Sequence, residues 1–428
     1  MKKLASCLFT VALGGTASAN AFLLNEFDAR AVGRGNATTA TETDPSAIYY
    51  NVGGLAAGEG TNVMIGGSLI APSTAFTSTD PTTGTATKTE GNTSPQPVPG
   101  LFGSTHLTDM IAVGLGFYTP FGLANDWPGS SPQANVAQNV SLRSFFITPA
   151  VGLNLGSFLP GLSVGAGVDL VPATLELKQQ VFVGQDGTGC GGTNPSCAHI
   201  GATAFGVGAR LGVMYRPMSA PRVSIGAMWR SDVNEDFDGN VNFDAPAEYR
   251  QMLPADGPAK TNTFVLPQSI SGGVGYRPVD GLEIEADLVW TNWAKHKELD
   301  VTVPNPPGTT GTMVIASPEH YSNTTTLRFG GEYTMPTLGA AVRAGFIYDP
   351  TPVPASTLTA TLPDVDRFDV TLGASKSFGR YGVHGGLLFV LPKSRSPSTT
   401  DPYMPEYKGT FDVSAWVASV SLTARLDK

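Results

Sequence analysis

The sequence predicts an all-β transmembrane fold: an antiparallel outer-membrane β-barrel of about 14 strands, with an N-terminal segment folded into its lumen as a hatch. Three features predict it: an export leader, repeated ten-residue alternations of apolar and small or polar side chains, and a regular exchange of short and long connections.

The leader comes first. Met1-Lys2-Lys3 gives a positive start, Leu4 to Gly15 an apolar stretch and Ala17-Ser18-Ala19 a small-residue cleavage site, so residues 1–19 read as a signal peptide cut before Asn20. Only 14% of the 428 residues are charged and the mean hydropathy is +0.01. No later run approaches the ~20 apolar residues of a membrane-spanning helix, which excludes a helical membrane bundle. Loss of Lys2 and Lys3 moves the formal charge from −9 to −11, which argues against a nucleic-acid partner.

Residues 20–60 lack strand-like alternation and read as short helical or irregular pieces, placed before the first strand as a plug. The barrel follows, over residues 61–428. Leu162, Val164, Ala166, Val168 and Leu170 share one face of a strand, against Ser163, Gly165, Gly167 and Asp169. Phe205, Val207, Ala209, Leu211, Val213 and Tyr215 oppose Gly206, Gly208, Arg210 and Gly212. The same period of two recurs from Leu282 to Trp290 and from Phe368 to Ser375.

A soluble sandwich alternates too, so connection lengths decide. Short connections near 108–110, 156–161, 216–222, 277–281, 334–339 and 379–381 are interleaved with long polar segments near 76–98, 120–141, 183–199, 244–263, 302–320, 350–364 and 392–408. Seven loops and six turns join about 14 strands, and lipid requires the sheet to close. The lumen then carries Asp169, Arg210, Glu283, Glu285, Asp287, Arg328, Glu332, Arg343 and Asp369, and Trp229, Trp290, Trp293 and Trp416 suggest an aromatic girdle. In the last strand the apolar phase changes between Val417 and Val420, which predicts a bulge near Ala418.

Chemical motifs are few. No histidine pair has metal-ligand spacing, and neither a G-x-S-x-G elbow nor an H-E-x-x-H helix occurs, so no catalytic residue, metal or cofactor is expected. Cys190 and Cys197 lie in a glycine-rich polar stretch of an exported chain and read as a local disulfide; with His199 they supply three ligands where structural zinc wants four. Asp364, Asp366 and Arg367 read as an ion-paired turn at the head of a strand.

Five segments carry a resemblance: NAFLLNEFDARAVGRG (20–35), YYNVGGLA (49–56), WRSDVNEDFDGN (229–240), WTNWAKHKEL (290–299) and YDPTPVPASTLTATLPDVDRFDVTLGASKSF (348–378). Together they resemble the long-chain fatty-acid transporter family of Gram-negative outer membranes, which also contains channels for toluene-like hydrocarbons. The resemblance implies a hatch at Asn51, Val52 and Gly53, where the family's asparagine is kept but its proline and alanine are not. It implies an outer ligand groove between the third and fourth loops, with Phe243, Tyr249, Met252 and Leu253 as contacts, and an inner apolar pocket at Phe22, Leu23 and Leu24. It also implies a lateral opening in the third strand, expected at Gly114 and Gly116. The chain departs from the common barrel pattern in ending on Arg425-Leu426-Asp427-Lys428 with no terminal aromatic.

The function these readings favour is passive, gated uptake of hydrophobic small molecules, with long-chain fatty acids ahead of aromatic hydrocarbons. The expected partners are that ligand and outer-membrane lipid, around a monomer. A porin for polar solutes is the alternative, which the luminal charges suit and the plug opposes.

Overall fold

The period of two sorts the side chains into two environments. In the computed structural model, which describes residues 21–79, 82–92, 94–181, 190, 196–247, 249–398 and 409–427, Phe205, Val207 and Leu211 face outward while Arg210 between them is fully buried. The predicted leader and Asn20 lie outside the described residues.

Fourteen strands form the wall. They are β1 (Thr61–Thr79), β2 (Gln96–His106), β3 (Ile111–Asp126), β4 (Asn139–Asn154), β5 (Leu162–Gln180), β6 (Cys197–Tyr215) and β7 (Val223–Arg230). The second half holds β8 (Ser269–Val279), β9 (Leu282–Thr291), β10 (Thr324–Met335), β11 (Ala340–Asp349), β12 (Arg367–Phe378), β13 (Tyr381–Arg395) and β14 (Gly409–Arg425). Each pairs antiparallel with the next, and β14 returns to β1 in continuous register from Asn62 opposite Arg425 to Ser78 opposite Gly409. Closure removes the free edge that lipid would not tolerate. At the loop end Asp238–Asp244 pairs with the upper part of β6, and Val233–Glu235 pairs with Phe264–Leu266 as a separate two-stranded ladder.

Residues 21–58 fill the interior and are almost wholly buried. They include helix α1 (Ala29–Gly33), capped by the Asp28 carboxylate on the Arg30 amide, helix α2 (Ala47–Tyr50) and a 3-10 turn at Val52–Ala57. The luminal charges hold this segment. Asp287 Oδ2 accepts the amides of Thr38 and Thr39 at 2.9 and 3.0 Å, and Glu285 Oε1 accepts that of Ala40 at 2.6 Å. Arg210, paired with Asp169 at 2.7 Å, donates to the Ile48 carbonyl at 2.7 Å. Asn51 donates to the carbonyls of Thr39 and Val213 and accepts the Gly53 amide. Glycine is required at Gly53, where a Cβ would lie 2.8 Å from the Val213 nitrogen of β6.

Four expectations need correction. Trp293 belongs to no girdle: it is fully buried inside, whereas Trp416 is 45% exposed on the outer face. No bulge occurs near Ala418 on the β1 side, where pairing runs unbroken; the register shift with β13 lies between Val390 and Lys393. Phe411, Val413 and Val417 simply point inward, because the loop-end lumen is itself apolar around Phe76 and Trp127. The Asp364, Asp366 and Arg367 group is not ion-paired internally: Arg367 pairs with Asp349 and Asp369, and Asp366 with Lys393. Finally, β3 is not interrupted at Gly114 and Gly116, since both are paired with β2 on one side and β4 on the other.

Candidate functional site

The break in the wall lies higher on β3. Pairing of β2 with β3 begins only at Gly100 opposite Tyr118, so Gln96 to Pro99 bond to β1 alone. The register of β3 with β4 shifts between Tyr118 and Phe121 and then resumes from Phe121 to Asp126. Between residues 96–99 and 119–126 no ladder joins the two strands. Proline explains it: Pro97, Pro99 and Pro120 have no N–H to donate. The gap contains a mainly apolar cavity of about 50 Å³, lined by Leu24, Pro97, Val98, Phe121, Leu123 and Phe145 among others.

An arm of residues 21–24 covers the gap from inside. The Leu24 amide donates to the Pro120 carbonyl at 2.8 Å and the Gly122 amide to the Phe22 carbonyl at 2.9 Å, which sets Leu23 opposite Phe121 in a single antiparallel bridge. The arm thus takes the pairing partner's place that β2 leaves vacant. Its Phe22 ring packs among Trp293 at 4.8 Å, Phe264 and His296 at 5.4 Å and Phe121 at 6.0 Å between centroids. The edge-to-face contacts with Trp293 and His296 add to the apolar burial. Burial pushes His296 down to about 3, so its imidazole is neutral at physiological pH. Burial also raises Glu319 to about 8, against the opposing hydrogen bond of Tyr321. Ala21 donates its amide to Asp364 Oδ2 at 3.3 Å and sits in the left-handed region with φ of 53°.

The seven candidate ligand residues fall into separate places. Phe22, Leu23 and Leu24 form the buried arm. Phe243 and Leu253 belong to a second apolar cluster with Ala198, Ile200, Val241 and Val301 at the loop end. Beside it is a cavity of about 70 Å³ that Phe243 lines, and Leu177 packs against both this cluster and the inner one. Tyr249 and Met252 do not join it; Met252 is 69% exposed. Cys190 and Cys197 are disulfide-bonded at the edge of the third loop. Sequence reasoning missed the prolines of the gap. The P-x-P at 97–99 and Thr119-Pro120 were the available signal, because each removes a donor from a strand otherwise reading as wall.

A closed, plugged barrel with an arm-covered gap defines a transport channel of the bacterial outer membrane, not an enzyme. The chain belongs to the outer membrane protein transport protein family (OMPP1/FadL/TodX), whose model matches residues 10–426. It is similar to the long-chain fatty acid transport protein of Salmonella typhi, 24% identical over 381 residues covering 84% of each chain. It shows the same identity and coverage, over 390 residues, to that of Escherichia coli K12. Its fold is similar to the crystal structure of a Pseudomonas aeruginosa FadL homologue, with a TM-score of 0.76 at 19% identity over 95% of this chain and 100% of the other. The Ralstonia pickettii toluene transporter TbuX gives 0.71 at 20% identity, over 94% and 99%.

Proposed function

We propose that the protein carries out passive, gated uptake of hydrophobic small molecules, long-chain fatty acids ahead of aromatic hydrocarbons, and releases them sideways through the wall between β2 and β3. The observation that carries the reading is the unpaired stretch of wall covered by the arm. Relatives named as long-chain fatty acid transport proteins and a neighbour named as a toluene transporter support a hydrophobic cargo. A solute is taken first by the apolar loop-end cluster around Phe243, then exchanges with the arm in the aromatic pocket. Once Phe22 and Leu24 leave, the gap faces lipid directly and the solute partitions into hydrocarbon. Polar solutes gain nothing from this route, and the hatch occupies the straight one.

The bridge between Leu23 and Phe121 supplies the test. The flanking bonds make it a non-hydrogen-bonded pair, whose Cα atoms lie about 4.5 Å apart, within disulfide range. A Leu23→Cys/Phe121→Cys variant is expected to block uptake of labelled oleate by cells when oxidised and to recover on reduction. Wild-type cells treated with the same reductant control for Cys190–Cys197. Import at the wild-type rate by the oxidised form rejects the lateral route.

A further inference from the structure

The outer face of the wall changes character along β3, β4 and β5. Leu101, Phe117, Ile147 and Leu170 stand side by side in register across β2 to β5, on the face that carries the exposed Leu115 and Val168. Toward the loops the same face presents Gly122, Arg143 and Thr174, then Ala124, Ser141 and Glu176, then Asp126, Asn139 and Lys178. An apolar band that gives way to polar rows is what a strand shows on leaving hydrocarbon for the headgroup layer, and Arg143 stands at that border. Against the polar rows lies a cavity of about 330 Å³, closed on its other side by the segment at residues 92–96. Arg143, Lys178, Asp126 and Glu176 line it, and none of the four side chains pairs with an opposite charge within 4.0 Å among the described residues. Gln96 lines it too and is 6% exposed. Its Nε2 donates to the Ser94 carbonyl at 2.6 Å, but its buried Oε1 has no hydrogen-bond partner among the described residues. The cavity adjoins the gap between β2 and β3, since Gln96, Ala124 and Arg143 line both.

A buried acceptor without a donor is costly, so the Gln96 carbonyl calls for a group that the chain itself does not supply. The two cations match an anion, whereas the two carboxylates and Gln96 Oε1 match donors. A bare phosphate satisfies only the first requirement and is opposed by Asp126 and Glu176. A phosphorylated sugar satisfies both: its phosphate oxygens accept from the guanidinium and the ammonium, and its hydroxyls donate to the carboxylates and to Gln96. We propose that this cavity binds the headgroup of a phosphorylated glycolipid of the outer leaflet, whose acyl chains run down the wall over Phe117 and Ile147 and cover the gap from the membrane side. The site lies on the outer face of the barrel and holds a resident lipid, so it is independent of where a transported solute binds in the lumen. The arm then closes the gap from within and the lipid closes it from without.

The test is native mass spectrometry of the purified full chain in non-ionic detergent, titrated with bis-phosphorylated lipid A or with phosphatidylethanolamine. The protein is expected to retain lipid A at concentrations where phosphatidylethanolamine, which has a phosphate but no sugar, is lost. Arg143→Gln and Lys178→Gln should each weaken lipid A about tenfold or more, the value of one charge-assisted hydrogen bond, and Arg143→Lys should recover part of the loss. Gln96→Leu, which removes the orphaned acceptor, should weaken it severalfold. Lys260→Gln, a loop-end cation outside the cavity, should leave it unchanged. Heat-modifiable gel mobility verifies assembly, and Lys178→Gln serves where Arg143→Gln fails to assemble. Unchanged binding in both cation variants, or an equal loss in Lys260→Gln, overturns the site. Equal retention of phosphatidylethanolamine overturns the sugar headgroup, and displacement of lipid A by inorganic phosphate at equal concentration overturns the lipid in favour of a free anion.

Discussion

The arm at residues 21–24 and the hatch at residues 28–58 share one lumen and are held by different forces. The hatch is fixed by charge: Thr38, Thr39 and Ala40 give their amides to Asp287 and Glu285, Arg34 reaches Glu283 and Glu285, and Arg210 takes the Ile48 carbonyl. The arm has two backbone bonds to β3, one to Asp364 and one from the Tyr49 hydroxyl of the hatch to the Leu24 carbonyl, and its remaining contacts are mainly rings and aliphatic chains. Its first described residue, Ala21, has a left-handed backbone that costs about 1–2 kcal/mol. An apolar ligand replaces apolar contacts at little net cost, whereas no hydrocarbon replaces a carboxylate that holds buried amides. The arm is therefore the part built to exchange, and the hatch the part built to stay.

The largest effect is expected where the fixed part is anchored. Asp169→Ala leaves Arg210 as an unpaired buried cation and should cost about 3–5 kcal/mol, read as an earlier loss of the folded band in denaturant. Asp287→Ala should act locally, on the hatch. Removing an acceptor from two buried amides costs about 1.5–3 kcal/mol for each bond, so amide exchange at Thr38 and Thr39 should accelerate by at least an order of magnitude. Brief ion-conducting openings should accompany it; unchanged exchange at both amides would show that the hatch is held elsewhere.

Phe22→Ala tests the other side of the contrast. The ring is 2% exposed, and losing its burial should cost about 1.5–3 kcal/mol. Faster exchange is expected at Leu24 and Gly122, whose amides make the two bonds to and from β3, with Thr38 and Thr39 unaffected. Acceleration spread evenly over all four amides would mean that arm and hatch open as one unit, and the comparison would collapse.

Much of this was legible in the sequence. Alternation placed Asp169, Arg210, Glu285 and Asp287 inside, and the connection lengths placed the loops and turns. The gap was not legible at Gly114 and Gly116, because a strand's own alternation says nothing of where its neighbour's pairing stops. That was decided on β2, by Pro97 and Pro99. Likewise Trp293 looked like a girdle residue from its place after β9. Only the turn at Trp293–Lys295 carries it inward, onto Phe22. The separation of Phe243 from Met252 was hidden for the same reason, since contacts across loops leave no periodic trace.

A pH response is expected in the loop that covers the arm. Glu319 is 8% exposed and burial raises it from 4.5 to about 8. The folded loop therefore keeps a proton that the unfolded loop releases near 4.5. The contribution of Glu319 to its stability is greatest below about pH 4.5, falls as the pH rises toward about 8 and then levels, because only there are both states ionised. His296, held near 3 in the folded loop against 6.5 when exposed, acts in the opposite direction below about pH 6.5, whereas Asp364, raised to about 7, acts in the same direction as Glu319. The comparison must accordingly be made with Glu319→Gln and not with wild type alone. Amide exchange at Leu299, bonded to Ser317, and at Tyr321, bonded to His296, corrected for its intrinsic pH dependence, reports the closure of this loop. Between pH 6 and pH 9 the wild type should lose protection at both amides, and Glu319→Gln should lose less. An identical decline in the two proteins would assign the proton to Asp364, and the loop would then respond to pH through its contact with the arm at Ala21.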